Sequence, residues 1–178
     1  MTRSIDIAAP GALAAVIEEV QHENLSLLVN SAGAMFPEPL LSADSSRWRE
    51  LFDVHVIAML EGCQAAVRQM RKHGQPSHII NVSSLTARWD AGGAYGAAKL
   101  AVESLTRTLR KELERDAIRM SVIVPGGFRT NLARGYAPVR FRGLANETVA
   151  NVSFPEEQQK KASKAAKGQP KAQKRRRR

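Results

Sequence analysis

His78-Ile79-Ile80-Asn81-Val82-Ser83-Ser84 is followed, eleven positions after its last serine, by the start of Tyr95-Gly96-Ala97-Ala98-Lys99. The first stretch is an apolar run closed by two serines, and it reads as a buried strand over residues 78–83. The second opens a helical pattern over residues 94–115, with Ala98, Ala101, Val102, Leu105, Leu109 and Leu113 on one side. Tyr95 and Lys99 stand four residues apart and so share a face of that helix. An ammonium there can lower the phenol's pKa and make it an acid or base usable near neutral pH. Serine, tyrosine and lysine together point to proton transfer at a carbonyl or an alcohol.

Upstream, Leu13, Val16, Ile17 and Val20 recur at helical spacing, so residues 10–22 read as an amphipathic helix. Leu25-Ser26-Leu27-Leu28-Val29 follows as a short buried strand that stops at the loop Asn30-Ser31-Ala32-Gly33. Residues 46–72 carry Trp48, Phe52, Val56, Met59, Leu60, Cys63, Val67 and Met70 on one stripe, a long helix ended by Gly74-Gln75-Pro76. Residues 119–124 are a third strand, closed by Pro125-Gly126-Gly127. Apolar strands alternating with long helices imply an α/β fold with a parallel sheet covered on both faces. Ligands of such sheets bind beyond the carboxyl ends of the strands, where Asn30, Ser84 and the Pro125 turn all fall.

Composition bounds the reading further. A length of 178 residues suits one domain, and 43% hydrophobic residues can supply a core. The net charge of +10 lies wholly in the segment 160–178, which holds six Lys, four Arg and no acid. The basicity belongs to a tail rather than to the domain. Residues 1–154 therefore read as the folded part, weakly patterned after Leu132, and residues 155–178 as a disordered basic tail. Lys174-Arg175-Arg176-Arg177-Arg178 offers at most a weak nucleic-acid, polyanion or nuclear-import patch. Cys63 is the only cysteine, so no intramolecular disulfide forms. No apolar leader or membrane-crossing run is visible, and a cytoplasmic protein is expected. His22, His73 and His78 show no ligand spacing, and no metal is expected.

At this point the chain resembles the short-chain dehydrogenase/reductase family. Asn30-Ser31-Ala32-Gly33 is similar to the family's Asn-Asn-Ala-Gly turn, and Asn81-Val82-Ser83-Ser84 to the strand carrying its serine. Tyr95 to Lys99 matches Tyr-x-x-x-Lys, and Pro125-Gly126-Gly127-Phe128-Arg129-Thr130 matches Pro-Gly-x-x-x-Thr. The fold so implied is a Rossmann-like, doubly wound parallel sheet. The chemistry implied is NAD(P)-dependent interconversion of an alcohol and a carbonyl compound, with NAD against NADP left open. Tyr95 would be the acid/base, Lys99 would hold the nicotinamide ribose and depress the tyrosine pKa, and Ser84 would polarise the substrate oxygen, with Ser83 as a substitute. Asp6, Asn30, Ala32, Gly33, Pro125, Gly126 and Thr130, with Tyr95 and Lys99, would touch the cofactor. Helices 46–72 and 94–115 would form a homo-oligomer interface.

The chain departs from the family's pattern at its start, which matches the third strand, over residues 4–7. The first βαβ unit and its Gly-x-x-x-Gly-x-Gly phosphate loop are missing from the match, and no Gly-x-Gly occurs anywhere. The sheet is expected to be incomplete, with residues 25–30 as an exposed apolar edge. A catalytically silent scaffold that dimerises through its long helices is the alternative reading. His55 stands where the family usually has an Asn that holds a water of the proton relay, and it counts as a fourth candidate catalytic residue.

Overall fold

Three parallel strands, each ending in a polar turn at the same edge, form the frame of the protein. In the computed structural model, residues 2–20, 24–36, 38–88, 92–127 and 132 are described. Strand β1 is Leu27–Asn30, β2 is Ser77–Val82 and β3 is Ile118–Ile123, in the spatial order β1-β2-β3. Both ladders are parallel, pairing Leu28 with Ile79 and Ile79 with Met120. Helix α1 (Ala12–Glu19) precedes β1, α2 (Ser45–Phe52) and α3 (Ala58–His73) lie between β1 and β2, and α4 (Gly93–Glu112) links β2 to β3. Such crossovers are what parallel neighbours require.

Local chemistry sets the helix ends. Asp44 accepts the Ser46 amide at 2.8 Å and starts α2. Gly74 takes the left-handed conformation at φ 64° that closes α3, a position glycine fills without strain. Between α2 and α3, residues Asp53–Ile57 form a single π turn, so the long helix is not uniform. Leu51, read as lying off the stripe, is buried, and Phe52, read on it, is exposed.

Helices α3 and α4 meet the sheet on one face. Met59, Cys63, Ala66 and Met70 of α3 and Val102 of α4 pack with Ile79, Ile118 and Met120 of the strands, and Leu113 closes the cluster. Of the two helical layers expected, the described residues supply this one. On the opposite face Leu27 is 52% exposed, Val29 48% and Ile123 49%. The apolar edge expected at β1 is present, with the strand beginning at Leu27 rather than Leu25.

The expected strand over residues 4–7 does not form. Asp6 instead closes a turn, its carboxylate accepting the Ala8 amide at 3.0 Å and its carbonyl the Ala9 amide at 3.2 Å. A strand needs a neighbour to satisfy its backbone, and an Asp can offer its own segment a local alternative. No helix among the described residues is long and apolar enough to cross a membrane. The basic tail, the segment 133–154, Thr130 and His22 lie outside the described residues.

Candidate active site

Two serines follow β2 directly, and the continued alternation of the strand sends them to opposite sides. Ser83 continues the buried parity of Ser77, Ile79 and Asn81. Its Oγ lies 3.0 Å from both the Lys99 carbonyl and Glu103 Oε1, pinning α4 to the end of β2. Ser84 turns outward. Its Oγ accepts the Thr86 hydroxyl at 2.9 Å and the Thr86 amide at 3.3 Å, and it lies close enough to the Tyr95 side chain to lower its pKa. Ser84, not Ser83, is therefore the serine beside the tyrosine. Gly96 permits this approach, because a Cβ there would stand 2.8 Å from the Thr86 carbonyl oxygen.

Tyr95 and Lys99 occupy one face of α4, and both are buried. Lys99 Nζ donates to the Val82 carbonyl at 2.8 Å and sits 5.8 Å from the centre of the Tyr95 ring. Burial pushes the Lys99 pKa down to about 8. Burial also raises the Tyr95 pKa, and Ser84 offsets only part of that. This corrects the expectation of a phenol acidified by its ammonium neighbour. Desolvation wins over a cation whose head is turned to a strand carbonyl.

His55 lies on the π turn and points inward, only 3% exposed. Its Nε2 lies 2.7 Å from the Ala34 carbonyl, while Nδ1 is buried without a partner. The ring stands edge-on to Tyr95, with centroids 5.3 Å apart and planes at 79°. Burial, then the charge of Lys99, lower its pKa to about 4, so the imidazole is neutral at physiological pH. Gly33 passes directly beneath it: a Cβ there would meet His55 Cε1 at 2.5 Å.

The loop after β1 completes the cluster. Asn30, Ser31 and Ala32 line a cleft of about 110 Å³ with His55, Lys99 and Ile7. Asn30 does not direct its amide nitrogen into that cleft: Nδ2 donates to Asn81 Oδ1 at 2.8 Å, holding β1 to β2. Asn81 in turn donates to Thr106 at 2.9 Å, and Thr106 to the Val102 carbonyl at 2.7 Å. Asn81 and Thr106 are structural residues that the motif reading passed over, although an Asn inside an apolar strand is itself the signal of a buried partner. Pro125 accepts the Leu85 amide at 2.8 Å and ties the β3 turn to the turn after Ser84, and Gly126 is half-buried beside it. Asp6 remains in its own surface turn, so the structure brings Ser84, Tyr95, Lys99, His55, Ala32 and Gly33 together and leaves Asp6 apart.

Known proteins resemble this chain in sequence and fold. The family model for short chain dehydrogenases matches residues 1–138. The uncharacterized oxidoreductase YohF of Escherichia coli is 40% identical over 109 residues, which are 60% of this chain and 43% of that protein. Dehydrogenase/reductase SDR family member 11 of Bos taurus is 37% identical over 120 residues, 64% of this chain and 47% of its own length. The crystal structure of a gluconate 5-dehydrogenase from Burkholderia cenocepacia, in complex with NADP and tartrate, superposes with a TM-score of 0.68 at 29% identity, covering 73% of this chain and 52% of that one. The chain thus spans about half the length of the relatives it matches. With the family matched along most of the sequence and the same fold recovered in three dimensions, the chain belongs to the short-chain dehydrogenase family.

Proposed function

We propose that this chain carries the proton-transfer side of an NAD(P)-dependent site that interconverts an alcohol and a carbonyl compound. The observation that carries this reading is the convergence of Ser84, Tyr95 and Lys99 at the carboxyl edge of the sheet, with Ser84 beside Tyr95 and Lys99 one turn away. Tyr95 gives its hydroxyl proton to the substrate oxygen in reduction, and its phenolate takes that proton back in oxidation. Ser84 donates to the same oxygen and polarises the bond.

The dinucleotide, when bound, supplies hydride transfer. The residues present fit its nicotinamide-riboside end. Lys99 offers a buried ammonium with donors beyond the one given to Val82, and Ser31, Ala32 and Lys99 line a cleft at the correct edge. For the pyrophosphate, no glycine-rich turn opening a helix is found among the described residues beside that cleft. The test is calorimetry with NADH and NADPH, followed by absorbance assays over a panel of ketones and alcohols. A folded preparation that neither binds nor turns over either cofactor overturns the reading.

A second reading is a silent scaffold that self-associates through the helices. Phe52 at the end of α2, Ile57 on the π turn and Leu100 on α4 are apolar and 38–49% exposed. Sedimentation decides it: a monodisperse monomer would sink this reading.

A further inference from the structure

We propose that His55 is a positioning residue that couples the loop after β1 to the Tyr95 ring. One imidazole touches both. On one side its Nε2 lies 2.7 Å from the Ala34 carbonyl oxygen and 3.3 Å from the Ala34 amide nitrogen, the shorter contact assigning it the donor's role, and its Cε1 fills the space that a side chain on residue 33 would need. On the other side the ring abuts Tyr95 edge-on. The π turn makes this reach possible, because the extra residue in its turn displaces the backbone locally, and such turns concentrate at functional sites.

The hydrogen-bonding pattern separates this role from simple space filling. Nδ1 is buried and unpartnered, so the ring is held by Ala34, Gly33 and Tyr95 rather than by a full set of polar partners. Burial keeps the imidazole neutral, so only one of its two ring nitrogens carries a hydrogen. Gly33 is not in the left-handed region, so an alanine there would be opposed by the His55 ring and not by backbone strain. The loop that lines the cleft and the tyrosine beside His55 are therefore set by one shared contact.

The effect on turnover rests on the acid/base role proposed for Tyr95; the mechanical coupling does not, so the two can fail separately. The experiment uses the full chain with Gly33→Ala, His55→Ala and the double variant. Tyrosine ring-carbon NMR follows Tyr95 through its titration, and amide shifts follow residues 31–34. Gly33→Ala is expected to move the Tyr95 signal and its titration, although residue 33 is not itself the tyrosine's neighbour on α4. In the His55→Ala background the same substitution should leave Tyr95 unmoved, a strong non-additivity. Where turnover is measurable, Gly33→Ala should lower kcat by about tenfold to a hundredfold, and the double variant should recover to the level of His55→Ala. An additive pair, or a Gly33→Ala that leaves Tyr95 unchanged, overturns the proposal. Long-range nitrogen–proton spectra of the wild-type chain test it independently: an Nδ1–H tautomer at neutral pH overturns it even if the variants fail to fold.

Discussion

Two polar groupings sit side by side at the carboxyl edge of this sheet, and they differ in whether their members are satisfied. In the first, Asn30, Asn81, Thr106 and the Val102 carbonyl form a closed string across β1, β2 and α4. In the second, Ser84, Tyr95, Lys99 and His55 cluster beside a cleft that His55 and Lys99 line, with three displaced proton affinities and one orphaned nitrogen. Buried polar atoms that pair with each other hold elements together. Buried polar atoms left with altered proton affinities are suited to chemistry on something else. Sequence motifs mix the two groupings, since Asn81 belongs to the same quoted stretch as Ser84.

The largest test of this division is Tyr95→Phe. Turnover of any carbonyl substrate should fall by about 10²–10⁴-fold. The unfolding free energy should move by no more than about 1 kcal/mol, because a single hydroxyl is removed and the ring keeps its packing. A variant that kept its activity would remove Tyr95 from the chemistry.

Protonation of His55 comes next. Its pKa is about 4 in the fold against an ordinary 6.5, so the unfolded chain takes the proton first. The contribution to stability is therefore full above about pH 6.5 and is lost as pH falls towards about 4, for a total of about 3 kcal/mol. Lys99 acts with the same sign at the alkaline end, where stability should rise between about pH 8 and the ordinary lysine value of 10.5. Urea titrations of the wild type and His55→Asn across the acidic window read the first effect, and equal slopes in both would refute it.

In the closed string, Asn81→Ala should cost about 2–3 kcal/mol, since it strands the Asn30 amide and leaves a cavity. The smallest effects come from the serine pair. Ser83→Ala should cost about 1–2 kcal/mol and spare the chemistry, while Ser84→Ala should change stability by less than about 0.5 kcal/mol and lower activity. The opposite pattern would exchange their roles.

Much of the frame was legible because strands and helices are periodic. The apolar runs located β1, β2 and β3 to within two residues, and the helical stripe placed Tyr95 and Lys99 on one buried face. The choice between Ser83 and Ser84 was also written in the chain, in the alternation that makes Ser77, Ile79, Asn81 and Ser83 one face. Other features were beyond local pattern. Residues 4–7 look like a strand, but a strand is completed by a distant neighbour, and Asp6 takes the local turn instead. The π turn is defined by hydrogen-bond register rather than residue type, so neither the inward His55 nor the burial of Leu51 in place of Phe52 could be read ahead. The Tyr95 pKa depends on a balance between burial and a lysine head group whose direction the spacing does not fix.

Cys63, packed in α3 against Asn30 and Asn81, turns this core into its own reporter. It is the sole cysteine of the chain, 1% exposed, and burial pushes its thiol up to about 11. A native thiol so placed resists alkylating reagents, and labelling waits for the α3–β2 packing to open. The rate at which a thiol dye accumulates under native conditions is thus a direct clock for breathing of the sheet layer that carries the site, obtainable without any introduced probe.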